Sequence, residues 1–131
     1  MLTKRVTGIG GIFIKAKDPQ VMYSWYQRHL GFAAFLPEHH AIDFPWKDAE
    51  TGEEAHTYWS LFKESTDYFD PCKSRVMINY RVADLDAVIA ALQSEGIEIL
   101  GRQDYDYGRF AWILDPEGNK IELWEPPKSR L

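Results

Sequence analysis

Two stretches of the chain, about half its length apart, follow one plan. In the first, the apolar run 11–17 meets Asp18-Pro19, a helical pattern fills 20–30, and Gly31-Phe32 closes it. In the second, the run 75–83 meets Asp84, a helical pattern fills 85–95, and Gly96-Ile97 closes it. Each mark has a physical reason. Asp18 and Asp84 accept hydrogen bonds from the free N–H groups of a helix's first turn. Pro19 suits the first helical position, where no N–H is needed. Gly31 and Gly96 suit the left-handed residue that ends a helix. Leu85, Val88, Ile89 and Leu92 form one apolar stripe at helical spacing, and Val21, Met22, Trp25, Tyr26 and Leu30 form a bulkier one.

Short apolar runs separated by polar turns follow each helix. They predict strands near 32–36, 40–46 and 56–63 in the first half, with 47–54 as an exposed loop. In the second half they predict strands near 97–102, 108–114 and 119–125. The expected architecture is α+β, with two tandem βαβββ modules sharing a core. It reads as a single domain over 1–131: module one about 7–63, a linker about 64–73, and module two about 74–126.

Composition narrows the partners. The 131 residues carry a net charge of −5 with Lys and Arg dispersed, which disfavours nucleic acid, since phosphate binding needs clustered positive charge. No run of about 18 apolar residues would span a membrane, and the opening segment lacks the apolar stretch of a secretory signal. Cys72 is the only cysteine, so no internal disulfide framework forms and a cytoplasmic location is expected. Aromatic residues make up 15% of the chain, enough to line a pocket as well as fill a core.

The segment 113–127, ILDPEGNKIELWEPP, turns tightly at Asp115–Asn119 and then places Glu122 between Ile121 and Leu123. A carboxylate there is costly unless exposed, paired or bound to a metal. The D-P-x-G-N-x-I-E-L run, together with the helix end YSWYQRHLGF (Trp25-Tyr26 and Leu30-Gly31-Phe32), resembles the vicinal oxygen chelate superfamily. That superfamily includes glyoxalase I, extradiol dioxygenases, fosfomycin-resistance transferases and bleomycin-binding proteins. The resemblance covers residues 7–126 and implies a half-open barrel around a cleft, with a homodimer.

In the metal-using members, four strands supply His and Glu ligands, and the last of these corresponds to Glu122. Counted from Asp18 and Asp84, two further ligand positions fall on Gly11 and Met77, and the fourth falls near Ser60. His56 lies four residues earlier on the same strand face. Gly and Met are poor ligands for the metals this family uses. No cofactor is therefore expected, a divalent metal on Glu122 and His56 being the alternative. The bleomycin-binding branch works without a metal and is the nearer resemblance.

Period-two alternation names the cleft side chains: Glu122 and Trp124, Phe110 and Trp112, Met77, Asn79 and Arg81, and Tyr58, Ser60 and Phe62. Trp112 also corresponds to a substrate contact in the fosfomycin-resistance relatives. Arg109, in the rim segment 103–110, would clamp an anion, with Tyr105 and Tyr107 covering a ring; the alternative pairs Arg109 with Asp104 or Asp106. Glu122 either faces a ligand or is hydrogen-bonded to Arg81 or a tyrosine hydroxyl. Trp25 and Tyr26 are expected in the core, Trp59 under a helix, and His29, His39 and His40 in structural or surface roles. The glycines of GIGG, 8–11, let a ligand or a facing backbone come close at Gly11.

The functional expectation is a metal-free binder of a small aromatic or amphipathic molecule. One alternative is a divalent-metal lyase or dioxygenase of glyoxalase type using Glu122 and His56. The other is a metal-free enzyme with Glu122 as catalytic general base.

Overall fold

The computed structural model describes residues 4–33 and 35–128. Seven strands and two helices follow the order β1 (Val6–Ala16), α1 (Pro19–Leu30), β2 (Ala41–Lys47), β3 (Glu54–Lys63), β4 (Val76–Val82), α2 (Leu85–Ser94), β5 (Gly101–Tyr105), β6 (Gly108–Leu114) and β7 (Lys120–Glu125). They build one open sheet in the order β2-β3-β1-β4-β7-β6-β5.

The helix signals act as expected. Asp18 accepts from the Val21 amide and Asp84 from the Ala87 amide, and Gly31 and Gly96 take the left-handed conformation, at φ 69° and 82°. Both helices cover one face of the sheet. Under α1 lie Ala16, Tyr23, Ile42, Trp59 and Leu61; Val82, Leu85, Val88, Ile89, Ala111, Ile113 and Leu123 form the α2 side. Of the adjacent Trp25 and Tyr26 only one can face the sheet. Tyr26 packs on Trp59 and Phe32, whereas Trp25 is half exposed over His29, contrary to the expected core position.

The halves meet through antiparallel β1 and β4, paired about Ile12↔Ile78 with Gly11↔Asn79 and Phe13↔Met77 on either side. These pairs are related by the same offset that separates Asp18 from Asp84, so the seam carries a local two-fold. The halves are unequal, however. Of the expected strand 32–36, position 34 lies outside the described residues, and among the others Leu36 makes one isolated bridge to Ala41 before Pro37 starts a short 3-10 turn. A proline has no amide to extend the ladder, so β2 becomes an edge. In the second half, the strand predicted at 97–102 begins only at Gly101, because the Ile97 amide is spent on the Leu92 carbonyl at the end of α2.

The loop 47–54 is not simply exposed. Asp48 is buried, caps its own turn through the Glu50 and Thr51 amides, and lies 3.6 Å from the Arg81 guanidinium on β4. The glycines of GIGG serve close approach by side chains. The Trp46 ring covers Gly8, Asn79 and Trp124 press on Gly10, and Phe13 on Gly11. A slip in the β1/β4 register between Ile9 and Gly11 accompanies this approach.

A Cβ at Gly10 would lie 2.3 Å from Asn79 Oδ1 and 2.8 Å from Trp124, whereas one at Gly101 would meet Trp112 at an ordinary 3.6 Å. Gly10→Ala is therefore expected to cost about 1–3 kcal/mol in urea unfolding, and Gly101→Ala less than about 1 kcal/mol. Equal effects of the two substitutions would show that the seam tolerates overpacking.

Candidate functional site

One ladder position crosses all seven strands. Asp43 pairs with Tyr58, Tyr58 with Gly11, Gly11 with Asn79, Asn79 with Glu122, Glu122 with Trp112, and Trp112 with Gly101. Directly paired residues share a face, and this row lies on the face away from the helices. The sequence therefore brings together Glu122, Asn79, Trp112 and Tyr58 from four strands. Phe110 and Trp124 flank the row with near-parallel rings 6.4 Å apart, and Trp124 meets Tyr58 edge-on at 6.1 Å. Ser60, Phe13 and Met77 form the next row.

Glu122 is 1% exposed. Asn79 Nδ2 donates to one carboxylate oxygen at 2.6 Å; Trp112 Nε1 donates to the other at 3.0 Å, and the Tyr68 hydroxyl donates to that same oxygen. Of the two alternatives to ligand contact, the tyrosine hydroxyl is the one realised, while Arg81 turns to Thr7, Asp48 and Glu53. Burial pushes the Glu122 carboxyl up from its ordinary range, against the three hydrogen bonds and the Lys120 charge. Burial beside that carboxylate likewise pushes the Tyr68 phenol up. Asn79 Oδ1 is buried with no hydrogen-bond donor among the described residues; it faces Gly10 because the amide nitrogen is held by Glu122.

Tyr68 is the residue that sequence reasoning missed. It belongs to the segment assigned as linker, where Tyr68 and Phe69 are two aromatics in a polar stretch. Phe69 is fully buried, and the Tyr68 ring lies parallel to Phe62 at 5.7 Å. The segment thus folds over the cleft face.

One expectation needs correction. Arg109 does not reach the cleft. It shares the helix-side face with Ala111 and Ile113, and bonds Asp86 on α2 at 3.0 and 3.2 Å with Asp104 at 3.5 Å. Alternation along β6 separates it from Phe110 and Trp112. His56 does lie on the cleft face, stacked on Tyr58 at 5.6 Å, but its Nδ1 is paired with Asp43 at 2.8 Å.

The parallel pairings Phe13↔Ser60 and Asn79↔Glu122 make Ser60 the first-half counterpart of Glu122. The four metal-ligand positions implied by the resemblance are therefore Gly11, Ser60, Met77 and Glu122. One of the four has no side-chain donor, another offers a thioether, and both oxygens of Glu122 already accept hydrogen bonds. Among the described residues no three His, Cys, Asp or Glu side chains converge. This donor set does not fit a hard divalent cation.

An open mixed sheet with two helices on one face and a buried carboxylate on the other defines an α+β protein of the paired-module cleft class. The family model of the Glyoxalase/Bleomycin resistance protein/Dioxygenase superfamily matches residues 8–123, and the chain belongs to that superfamily. Among solved structures, the Mycobacterium tuberculosis methylmalonyl-CoA epimerase is 24% identical with a TM-score of 0.59, covering 98% of this chain and 93% of that one. A Streptomyces coelicolor methylmalonyl-CoA epimerase variant bound to 2-nitronate-propionyl-CoA is 19% identical with a TM-score of 0.66, covering 94% and 99%. A superfamily member from Vibrio splendidus 12B01 is 15% identical with a TM-score of 0.58, covering 89% and 97%. At these identities the likeness is one of fold. No curated protein matches the sequence. Among the described residues no helix is long and apolar enough to cross a membrane.

Two measurements test the site. Tyr68→Phe removes one donor from a buried carboxylate and is expected to cost about 1–3 kcal/mol in urea unfolding. The second follows from the raised carboxyl. Its proton is held more tightly in the folded chain, so Glu122 favours folding below the ordinary value of 4.5. That contribution is lost as pH rises through the folded value. Stability measured against pH in parallel for the wild type and Glu122→Gln should show this decline in the wild type alone. The same pH dependence in both would place the titration elsewhere.

Proposed function

We propose that this chain binds a small planar aromatic or amphipathic molecule on its cleft face, with Glu122 as the polar anchor. The observation that carries the reading is the carboxylate itself. It is buried under aromatic rings, ringed by three neutral donors, and placed in the ladder row that crosses the sheet's centre. A few convergent polar groups in an aromatic surround suit a small organic ligand. Tyr58, Phe110, Trp112 and Trp124 supply ring faces, Met77 an adaptable thioether, and Ser60 a hydroxyl at the first-half counterpart of Glu122. A ligand N–H or O–H would replace the Tyr68 hydroxyl at the carboxylate, and the segment carrying Tyr68 would move with it. Sequestration by a metal-free cleft, a cytoplasmic setting and a homodimer belong to this reading.

A second reading draws on the raised Glu122 carboxyl. A base tuned upward by burial suits proton removal near neutral pH, and two of the similar folds are epimerases of a CoA ester. Inverting a stereocentre beside a carbonyl requires a proton to be taken and returned. Glu122 would be the group that holds that proton, and Trp112 and Asn79 would keep its carboxylate in place.

A panel of planar aromatic, cationic and acyl-thioester compounds, read by thermal unfolding and tryptophan fluorescence, separates these readings. A ligand at about 100-fold its Kd stabilises by about 2.7 kcal/mol, an upward Tm shift that Glu122→Gln and Trp124→Leu should each diminish. Absence of any shift in the wild type across the panel overturns the binding reading. Exchange of the α-proton of an acyl thioester for deuterium, lost in Glu122→Gln, would establish the second.

A further inference from the structure

Tyr68 reaches the Glu122 carboxylate from outside the sheet. The segment that carries it runs between the halves as successive turns. The Thr66 amide donates to the Lys63 carbonyl at 3.0 Å, the Tyr68 amide to Thr66 Oγ1 at 3.2 Å, and the Asp70 amide to the Asp67 carbonyl at 3.0 Å. Phe69 anchors the segment, fully buried against Phe62 at 5.4 Å. Beside that anchor the Tyr68 ring occupies a slot, parallel to Phe62 at 5.7 Å and edge-on to Trp112 at 6.3 Å. Its hydroxyl donates to Glu122 Oε1, and its backbone carbonyl accepts from Lys120 Nζ at 2.7 Å.

That hydroxyl is a surplus donor. Asn79 serves Glu122 Oε2 and Trp112 serves Oε1, so neither oxygen is orphaned when Tyr68 leaves. A carboxylate oxygen accepts in two directions, and the one Tyr68 uses is then open to another donor. Residues 65–71 belong to no strand, so the segment lifts without breaking a ladder pairing. An open depression of about 340 Å³ lies against it, walled by Asp70, Pro71, Leu100, Gly101, Trp112 and Lys120. A molecule arriving there meets the segment's edge and the outer side of Trp112 together.

Resting on the Glu122 binding reading above, we propose that Tyr68 is a built-in competitor for the site, and that the external ligand is an aromatic alcohol. The side chain that fills a slot describes what fits it: one flat ring carrying one hydroxyl donor. Exchange of one hydroxyl for another at Oε1 keeps the carboxylate's hydrogen bonds, whereas a ring without a donor gives up the bond it displaces. The docked segment lowers the ligand's apparent affinity by the fraction of time the slot stands open. Weakening the Tyr68 contact therefore tightens binding, the opposite of what loss of an ordinary binding residue does.

The probe is p-cresol, the tyrosine side chain as a free molecule, with 4-methylanisole as the same ring lacking the donor. Both are titrated calorimetrically at millimolar concentration into the full-length wild type and Tyr68→Phe. Tyr68→Phe keeps the ring but drops the competing hydroxyl, and should bind p-cresol at least about tenfold more tightly than the wild type. 4-Methylanisole should bind both chains more weakly than p-cresol does. In the wild type, saturating p-cresol should also speed hydrogen exchange of the amides at 66–70, an effect that a merely structural tyrosine would not give. Equal p-cresol affinity in the two chains overturns the proposal, as does binding that leaves this exchange unchanged. Equal binding of the two probes, or no p-cresol binding to either chain, overturns it as well. If p-cresol fails while another compound still raises Tm through Glu122, the binding reading stands without this one; if no compound binds, both fall.

Discussion

Hydrogen bonds between β1 and β4 join two half-chains into one sheet, and each contact of the site depends on that seam. Pairing about Ile12↔Ile78 sets Gly11 opposite Asn79, and the next pairing sets Asn79 beside Glu122. A one-residue slip along this ladder would turn every side chain of β4 and β7 to the helix side. The seam is held by sterics as well as hydrogen bonds. Gly10 and Gly11 leave the space that Asn79, Trp124 and Phe13 occupy. The glycines and the polar centre are thus two parts of one arrangement.

Burying Glu122 sets opposing effects against each other. Removing a carboxylate from water costs several kcal/mol even after relaxation, and the three donors and the nearby Lys120 charge offset part of that cost. That its carboxyl stays raised shows burial to be the larger effect. The donors come from β4, β6 and the segment between the halves, so the group that is most costly to bury also ties three separate parts of the chain together. The unmet Asn79 Oδ1 follows from this arrangement, because an amide whose nitrogen serves Glu122 must turn its oxygen towards Gly10.

The loss of one strand from the first half has consequences for the cleft. Pro37 leaves only the Leu36–Ala41 bridge there, so β2 is an edge and Phe35 is free to stack on Tyr58 at 5.8 Å. The second half keeps its outer strand β5, whose Gly101 pairs with Trp112. The two walls therefore differ: Phe35, Tyr58 and His56 stack on one side, while Lys120 and an open depression belong to the other.

The sequence by itself determined the helices, their caps, the strands β6 and β7, the two-fold plan and the alternation that put Glu122, Trp112 and Asn79 on one face. These are local matters, decided by periodicity, by the lone acceptor at a helix start and by the left-handed glycine at its end. Only the tertiary structure decided what those side chains meet. Tyr68 sits in a segment with no periodicity to read, and its bond to Glu122 spans 54 residues. Arg109 carries the same rim chemistry on either face of β6, and Asp86 on α2, not its neighbours in sequence, fixes where its charge is spent. Trp25 and Tyr26 share one apolar stripe, and the position of Trp59 beneath them selects which packs on the sheet. Short-range pattern specifies direction, whereas partners at long sequence separation are chosen by packing, which a linear pattern does not record.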